Sequence, residues 1–229
     1  MNTRRAMRKK TTSWAKKKRT NSRKRSWTKK QRRSVTAPLC ERKSNLRIVG
    51  LTGRNASGKG EIARILREQG YVYRSLSDIL REEATVRNLP ASREILISLG
   101  KELREKEGPG TLAIRTLAHL SIGNYVIDSI RSPEEIRNLR DTGHFLLLGV
   151  DAPIEIRFQR ATQRGRMENA RTLQEFQEME NRERSDNPFS QQLDHCMEMV
   201  DELILNDTTL TDLKRKVRGI LQKHRFPSN

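Results

Sequence analysis

From Asn45 onward, short apolar runs alternate with longer segments whose apolar residues recur at helical spacing. The runs are "LRIVGLT" (46–52), "YVYRSL" (71–76), "NYVIDSI" (124–130), "HFLLLGVD" (144–151) and "DELILN" (201–206), all rich in strand-forming residues. Between them lie stretches such as "EIARILREQG" (61–70) and "LKRKVRGILQ" (213–222). Strands alternating with helices predict a five-stranded parallel sheet covered on both faces, an α/β sandwich of three layers. Ligands of such sheets bind beyond the carboxyl ends of the strands, so chemistry is sought just after each run.

Composition divides the chain in two. Of its 47 Lys and Arg, 18 fall in residues 1–44 beside a single acid, Glu41, so most of the +19 net charge belongs to that segment. With almost no aliphatic residues, 1–44 cannot bury enough apolar surface to offset chain entropy, and a disordered basic tail is expected. Residues 45–229 are nearly neutral and long enough for one domain with a sizeable core. Inside the tail, "TSWAKKKR" recurs loosely as "RSWTKKQR", which puts Trp14 and Trp27 in matching basic settings. RNA or DNA is one candidate partner, through phosphate contacts and indole stacking. A localisation or targeting signal, or a start-site artefact, stays open beside it.

Several function classes drop out. Cys40 and Cys196 form neither a disulfide framework nor a zinc-ligand spacing. His119, His144, His195 and His224 add no metal spacing and no nucleophile-base arrangement. No apolar run reaches the roughly 18 residues of a membrane span, and a reducing cytoplasmic setting is expected.

The first run leads directly into "GRNASGKGE". Gly53 to Lys59 has the G-x-x-x-x-G-K pattern of a phosphate-cradling loop, with a strand before it and a helix after it. Backbone N–H groups of Asn55, Ala56, Ser57 and Gly58, with the helix N-terminus, would surround a phosphate, and Lys59 adds a point charge. Gly60 stands where such loops usually carry the Ser or Thr that holds magnesium, and Glu61 follows it.

The G-x-x-x-x-G-K-G form resembles the loop of adenylate kinases, which also place glycine after the lysine. That resemblance implies ATP and Mg²⁺ as cofactors and phosphoryl transfer as the activity. "SLSDILRE" is similar to the acceptor-site segment of the same family at Ser75, Asp78, Leu80 and Arg81. It implies that Arg81 grips an acceptor phosphate, a task suited to a planar fork of donors. An N-cap Ser or Asp opening a helix is the plainer reading of Ser75 and Asp78. The "ASREILISLGKELREKEGPGTLAIRTL" that follows would be a helical acceptor-binding insert, with Arg93, Arg104 and Arg115 as further candidates.

Asp128 stands in the third run at the tip of its apolar strand, where P-loop proteins put the carboxylate that organises magnesium, often through water. Arg131 resembles the acceptor arginine of adenylate kinases at a spacing shorter by one. After the fourth run, "VDAPIEIRFQRATQRGR" resembles the arginine-bearing lid of dephospho-CoA kinases as closely as that of adenylate kinases. Arg160 and Arg164 share one helix face, and Arg166, Arg171, Arg182 and Arg184 could close over the transferring phosphoryl group. Asn206 and Asp207 resemble the turn beside the nucleotide base. The resemblance over 45–229 implies a P-loop NTPase-type nucleotide kinase whose acceptor is a nucleoside monophosphate. Transfer to a hydroxyl, as in dephospho-CoA kinases, and a non-catalytic nucleotide-binding role both stay open.

Overall fold

The computed structural model describes residues 46–164, 171–182 and 187–227. Residues 1–44, expected to form a separate basic tail, lie outside them. Five strands appear where the apolar runs predict: β1 (Leu46–Gly53), β2 (Val72–Ser75), β3 (Gly123–Asp128), β4 (His144–Asp151) and β5 (Glu202–Leu205). The described helices are α1 (Lys59–Glu68), α2 (Leu76–Val86), α3 (Arg93–Glu107), α4 (Thr111–Ala118), α5 (Pro133–Arg140), α6 (Ile154–Gln163), α7 (Leu173–Arg182), α8 (Leu193–Glu198) and α9 (Leu210–Lys223).

All strand pairs are parallel, in the order β2-β3-β1-β4-β5. Side chains alternate across the sheet, so the central strands β1, β3 and β4 each feed two cores. Ile48, Tyr125, Ile127 and Leu147 pack under α2 to α5 and α8. Val49, Leu51, Val126, Leu146, Leu148 and Ile204 pack under α1 and α9, whose Ile62, Leu66, Leu213 and Val217 face inward. The result is the expected three-layer P-loop sandwich. The connection after β1 runs toward the β2 edge and the connection after β3 toward the β5 edge, so a crevice opens beyond the carboxyl ends of these two adjacent strands.

The helical insert is fixed to this frame by charge as well as by packing. Arg104 of α3 donates to the Glu135 carboxylate at 2.8 Å, with side chains 4% and 0% exposed. The other Glu135 oxygen accepts from the backbone N–H groups of Arg131, at 2.8 Å, and Ser132, at 3.1 Å, in the capping box that opens α5. One carboxylate thus joins the insert, α5 and the loop after β3. Arg104, a candidate for acceptor binding, is committed to this buried pair and does not reach the crevice.

A buried charge left without its partner is strongly destabilising. Glu135→Ala is therefore expected to lower the unfolding free energy by about 3–5 kcal/mol in urea. The substitution of its half-buried neighbour, Glu134→Ala, should stay within about 0.5 kcal/mol of the parent.

Candidate active site

β1 runs into the phosphate loop through a backbone that has no room for a side chain. Gly53 has φ +141°, and a Cβ there would lie 2.0 Å from the Val150 carbonyl oxygen of β4. At the far end Gly58 has φ +107°, and a Cβ would meet Asn206 Nδ2 at 2.0 Å. Gly58 also caps α1 without any side-chain hydrogen bond. The Glu61 N–H already donates to Gly58 O at 2.9 Å, so the N–H groups of Lys59 and Gly60 are the ones that open toward the crevice, with the positive end of the helix dipole.

Lys59 folds back over the loop. Its ammonium donates to the carbonyls of Gly53, at 2.7 Å, and Arg54, at 2.8 Å. Although the residue as a whole is half-buried, this enclosed ammonium loses hydration, and its pKa falls to about 8. Burial is the main cause. Arg131 pushes the same way, Asp128 opposes it, and Arg157 and Glu180 act more weakly with opposite signs. Lys59, Asp128 and Arg131 therefore share one electrostatic neighbourhood.

Asp128 lies at the tip of β3, in register with Ser75 of β2. Its carboxylate accepts from the Ser129 N–H at 2.6 Å and from the Tyr73 hydroxyl at 3.3 Å. Burial, followed by the Asp128 charge, raises the Tyr73 pKa to about 12, so it remains a donor. Ser75 Oγ donates to Ser129 Oγ at 3.1 Å, and Ser129 adopts φ +66°.

The second-strand segment shows the cap chemistry of the plainer reading. Ser75 Oγ accepts from the Ser77 N–H at 3.3 Å, and the Ser75 N–H donates to Asp78 Oδ2 at 3.1 Å. Asp78 Oδ1 accepts from Arg81 at 2.8 Å. Both Asp78 oxygens are engaged, while the Arg81 side chain is 53% exposed. Arg131 donates to Gln191 Oε1 at 2.8 Å across the crevice. Of the insert arginines, Arg115 pairs with Glu107 and Glu83, and Arg93 is half-buried at the start of α3.

On the opposite side of the loop, Gly58, Glu61, Arg160, Arg164, Asn206 and Leu210 help line a cleft of about 190 Å³. Asn206, 5% exposed, donates through Nδ2 to the Ser57 carbonyl at 2.9 Å and through its N–H to Asp151 O at 2.8 Å. Its amide nitrogen thus holds the loop rather than facing the cleft. Arg160 reaches the same Ser57 carbonyl at 3.5 Å, and burial, then Arg164, depresses its pKa. Asp207 turns to Lys216 at 3.9 Å.

Arg171 donates its backbone N–H to Glu175 at 2.5 Å, at the start of α7. Arg166 and Arg184 lie outside the described residues, as does the Arg182 side chain. One residue that spacing did not single out belongs to this ensemble. Arg157, 2% exposed, donates to Ala152 O at 2.9 Å and reaches the Asn55 carbonyl at 3.4 Å. In a segment so rich in arginine, spacing gives no signal for it, because Arg157 stands one helical turn before Arg160 on α6 and shares its side of the helix.

The donor set fits magnesium in one arrangement. Mg²⁺ takes one or two carboxylates and completes its shell with waters and substrate phosphate oxygens, and Asp128 is a carboxylate at the mouth of the loop. Glu61 turns instead to Arg64 at 3.1 Å, and Gly60 offers no oxygen. Among the described residues no cluster of three or more His, Cys, Asp and Glu could hold a metal unaided.

A family model described as an AAA domain matches residues 49–188. The UPF0200 protein of Pyrococcus horikoshii is 32% identical over 184 residues, spanning 77% of this chain and 96% of that protein. Its counterpart in Sulfurisphaera tokodaii is 28% identical over 181 residues, spanning 79% and 98%. Among solved structures, TT1252 from Thermus thermophilus aligns with a TM-score of 0.52 at 21% identity, over 78% of this chain and 98% of that one. Shikimate kinase from Acinetobacter baumannii, in complex with shikimate, aligns with a TM-score of 0.50 at 14% identity, over 79% and 95%. At these identities the two structures bear on the fold, which is that of P-loop kinases.

The depressed Lys59 pKa gives nucleotide binding a pH signature. Below pH 8 the ammonium is charged and affinity for an ATP analogue should be flat. Above it the free site loses its proton while bound phosphates favour retaining one, so affinity should fall by up to about tenfold per pH unit. Calorimetric titration from pH 6.5 to 9.5 checks this, and Lys59→Met should abolish the alkaline limb. The stability sign is opposite: the folded pKa lies below the unfolded 10.5, so the cost of enclosing the charge is present below pH 8 and relieved as pH rises toward 10.5.

Proposed function

The chain belongs to the UPF0200 family and carries an AAA-type P-loop domain, and from that premise we propose that it is an ATP-dependent phosphotransferase acting on nucleoside monophosphates. One observation carries the reading: Asp128 and Arg131 both act on the charge of Lys59. The nucleotide loop, the metal carboxylate and an acceptor arginine therefore serve one crevice.

In this mechanism the loop N–H groups from Gly53 to Gly60 hold the ATP phosphates, and Lys59 exchanges its loop carbonyls for β- and γ-phosphate oxygens. The base occupies the cleft beside Asn206 and Arg160. Asp128 would hold Mg²⁺ through water, and the ion when bound supplies positive charge to the β- and γ-phosphate oxygens. Arg81 and Arg131 orient the acceptor phosphate beside Ser75. An acceptor phosphate oxygen attacks the γ-phosphorus as the bond to the bridging oxygen breaks, which releases ADP. Arg160 and Arg164 offset charge in the transition state. No covalent intermediate on the protein is needed, because positioning and electrostatics carry the reaction.

The choice of acceptor rests on Asp78. A hydroxyl acceptor benefits from a carboxylate base within hydrogen-bond reach, whereas a phosphate is already a nucleophile at neutral pH. Asp78 is committed to the Ser75 cap and to Arg81, which supports a phosphate acceptor. Its exposed partner Arg81 can keep this pair through one nitrogen and offer the rest of its fork to an incoming phosphate.

The direct test incubates the protein with MgATP and a panel of ribo- and deoxyribonucleoside monophosphates, with dephospho-CoA alongside, and follows ADP. Lys59→Met should lower turnover about a hundredfold or more. Arg81→Ala should cut kcat/KM for the acceptor strongly, while Asp78→Asn, which keeps the helix cap, should do much less. Turnover confined to dephospho-CoA and abolished by Asp78→Asn would move the assignment to a hydroxyl kinase. No acceptor-stimulated turnover would leave a nucleotide-binding protein.

A further inference from the structure

We infer that Arg157 is a positioning residue for the nucleotide site, and that through Glu180 and Phe176 it ties the docking of α7 to the conformation of the phosphate loop at Asn55. The inference rests on the nucleotide-binding reading of that loop.

The geometry begins with a guanidinium that has no access to water. Arg157 Nε donates to Ala152 O at 2.9 Å and lies 3.8 Å from Asp151 Oδ1, at the end of β4. Its Nη1 forms an ion pair with Glu180 of α7 and approaches Asn55 O of the loop at 3.4 Å. The guanidinium also lies 5.8 Å from the centroid of the Phe176 ring. One side chain thus meets three segments far apart in sequence: the strand end, the loop and α7.

The Asn55 contact bears on the loop's chemistry because a peptide group is planar. Drawing the Asn55 carbonyl toward Arg157 sends the Ala56 N–H to the opposite side, where Asn55 Oδ1 accepts it at 3.0 Å. Ala56 itself has φ +57°, a left-handed conformation that is unfavourable for a residue with a Cβ. Ala56 packs against a small separate core formed by Ala161 and Phe176, with Ile154, Phe158 and Met179 around it. Phe158 and Phe176 meet edge to face at 5.9 Å. The strained loop residue is therefore supported by the same helix that neutralises Arg157.

Among the described residues, α7 is held by packing along one face. Phe176 is its one fully buried side chain among the described residues, with Leu173, Met179 and Glu180 partly covered on the same face. Undocking α7 would strip the counter-charge from a buried arginine and the packing from Ala56 together, so the loop and α7 have strong reason to order as one. Electrostatics agree: Arg157 and Glu180 act on Lys59 with opposite signs, against the larger effects of Arg131 and Asp128.

The test compares hydrogen exchange along the full chain, with and without a saturating non-hydrolysable ATP analogue, in the wild type, Glu180→Gln and Arg157→Lys. Glu178→Gln, on the exposed side of α7, serves as control. The wild type and the control should gain amide protection in residues 173–182 together with the loop. In Glu180→Gln, analogue binding should weaken about tenfold and α7 should no longer respond, with thermal unfolding showing that the fold persists. Arg157→Lys keeps the charge without the fork and should give an intermediate response. Should Arg157→Lys fail to fold, Glu180→Gln alone decides. An α7 that responds equally in Glu180→Gln, or that fails to respond in a wild type that binds the analogue, overturns the coupling. A wild type that binds no analogue overturns the nucleotide reading and the coupling with it.

Discussion

How closely β1 can lie against β4 at Gly53 governs the rest of the crevice. The two strands pair residue by residue from Arg47↔His144 to Gly53↔Val150, and at the last pair a methyl group would sit 2.0 Å from the Val150 carbonyl. The loop can leave the sheet at this angle only from a residue without a side chain. The same register brings β4 and β5 level, so that Asn206 just past β5 reaches under Gly58 and holds the Ser57 carbonyl. Two glycines and one asparagine thus set the curvature that gathers the N–H groups. A substitution at either glycine would act on phosphate binding through the sheet itself.

The fold encloses its cations in two ways. Arg104 and Arg157 are taken out of water with dedicated carboxylates, Glu135 and Glu180, and each pair ties distant segments together. Lys59 has no carboxylate at hydrogen-bond distance among the described residues and makes do with two loop carbonyls, so its pKa drops. The contrast separates structure from chemistry. An arginine that already holds a carboxylate gains little from an incoming phosphate, whereas an undercompensated ammonium gains both charge partner and hydrogen bonds.

The sheet was legible from sequence because strands buried on both faces leave continuous apolar runs, and the loop because its glycines stand at fixed spacing between a strand and a helix. The crevice was legible less evenly. Ser75, Asp78 and Arg81 match both a helix cap and an acceptor site, since both uses ask for the same small polar residues before a helix. Only the folded arrangement, in which both Asp78 oxygens accept hydrogen bonds, separates the two uses. Arg104 and Arg157 could not be sorted from their neighbours, because the feature that sets them apart is a glutamate supplied from elsewhere in the fold, 31 residues away for Arg104 and 23 for Arg157.

Gly60 shows where steric necessity ends in the loop. A Cβ at Gly60 would meet nothing within 4 Å, and the residue is exposed at the start of α1, so neither packing nor backbone geometry demands glycine there. Gly53 and Gly58 are required by the fold; Gly60 is not. Its consequence is chemical: the loop carries no hydroxyl beside Lys59, and Glu61 faces Arg64 instead. Within the proposed mechanism, protein contact with the metal then falls to Asp128, whose orientation is set by Ser129 and Tyr73. A metal held through water at one carboxylate depends on its substrate phosphates for most of its remaining ligands. Such a site gathers its ion together with the nucleotide, which leaves the tip of β3 rather than the loop as the point where metal binding is controlled.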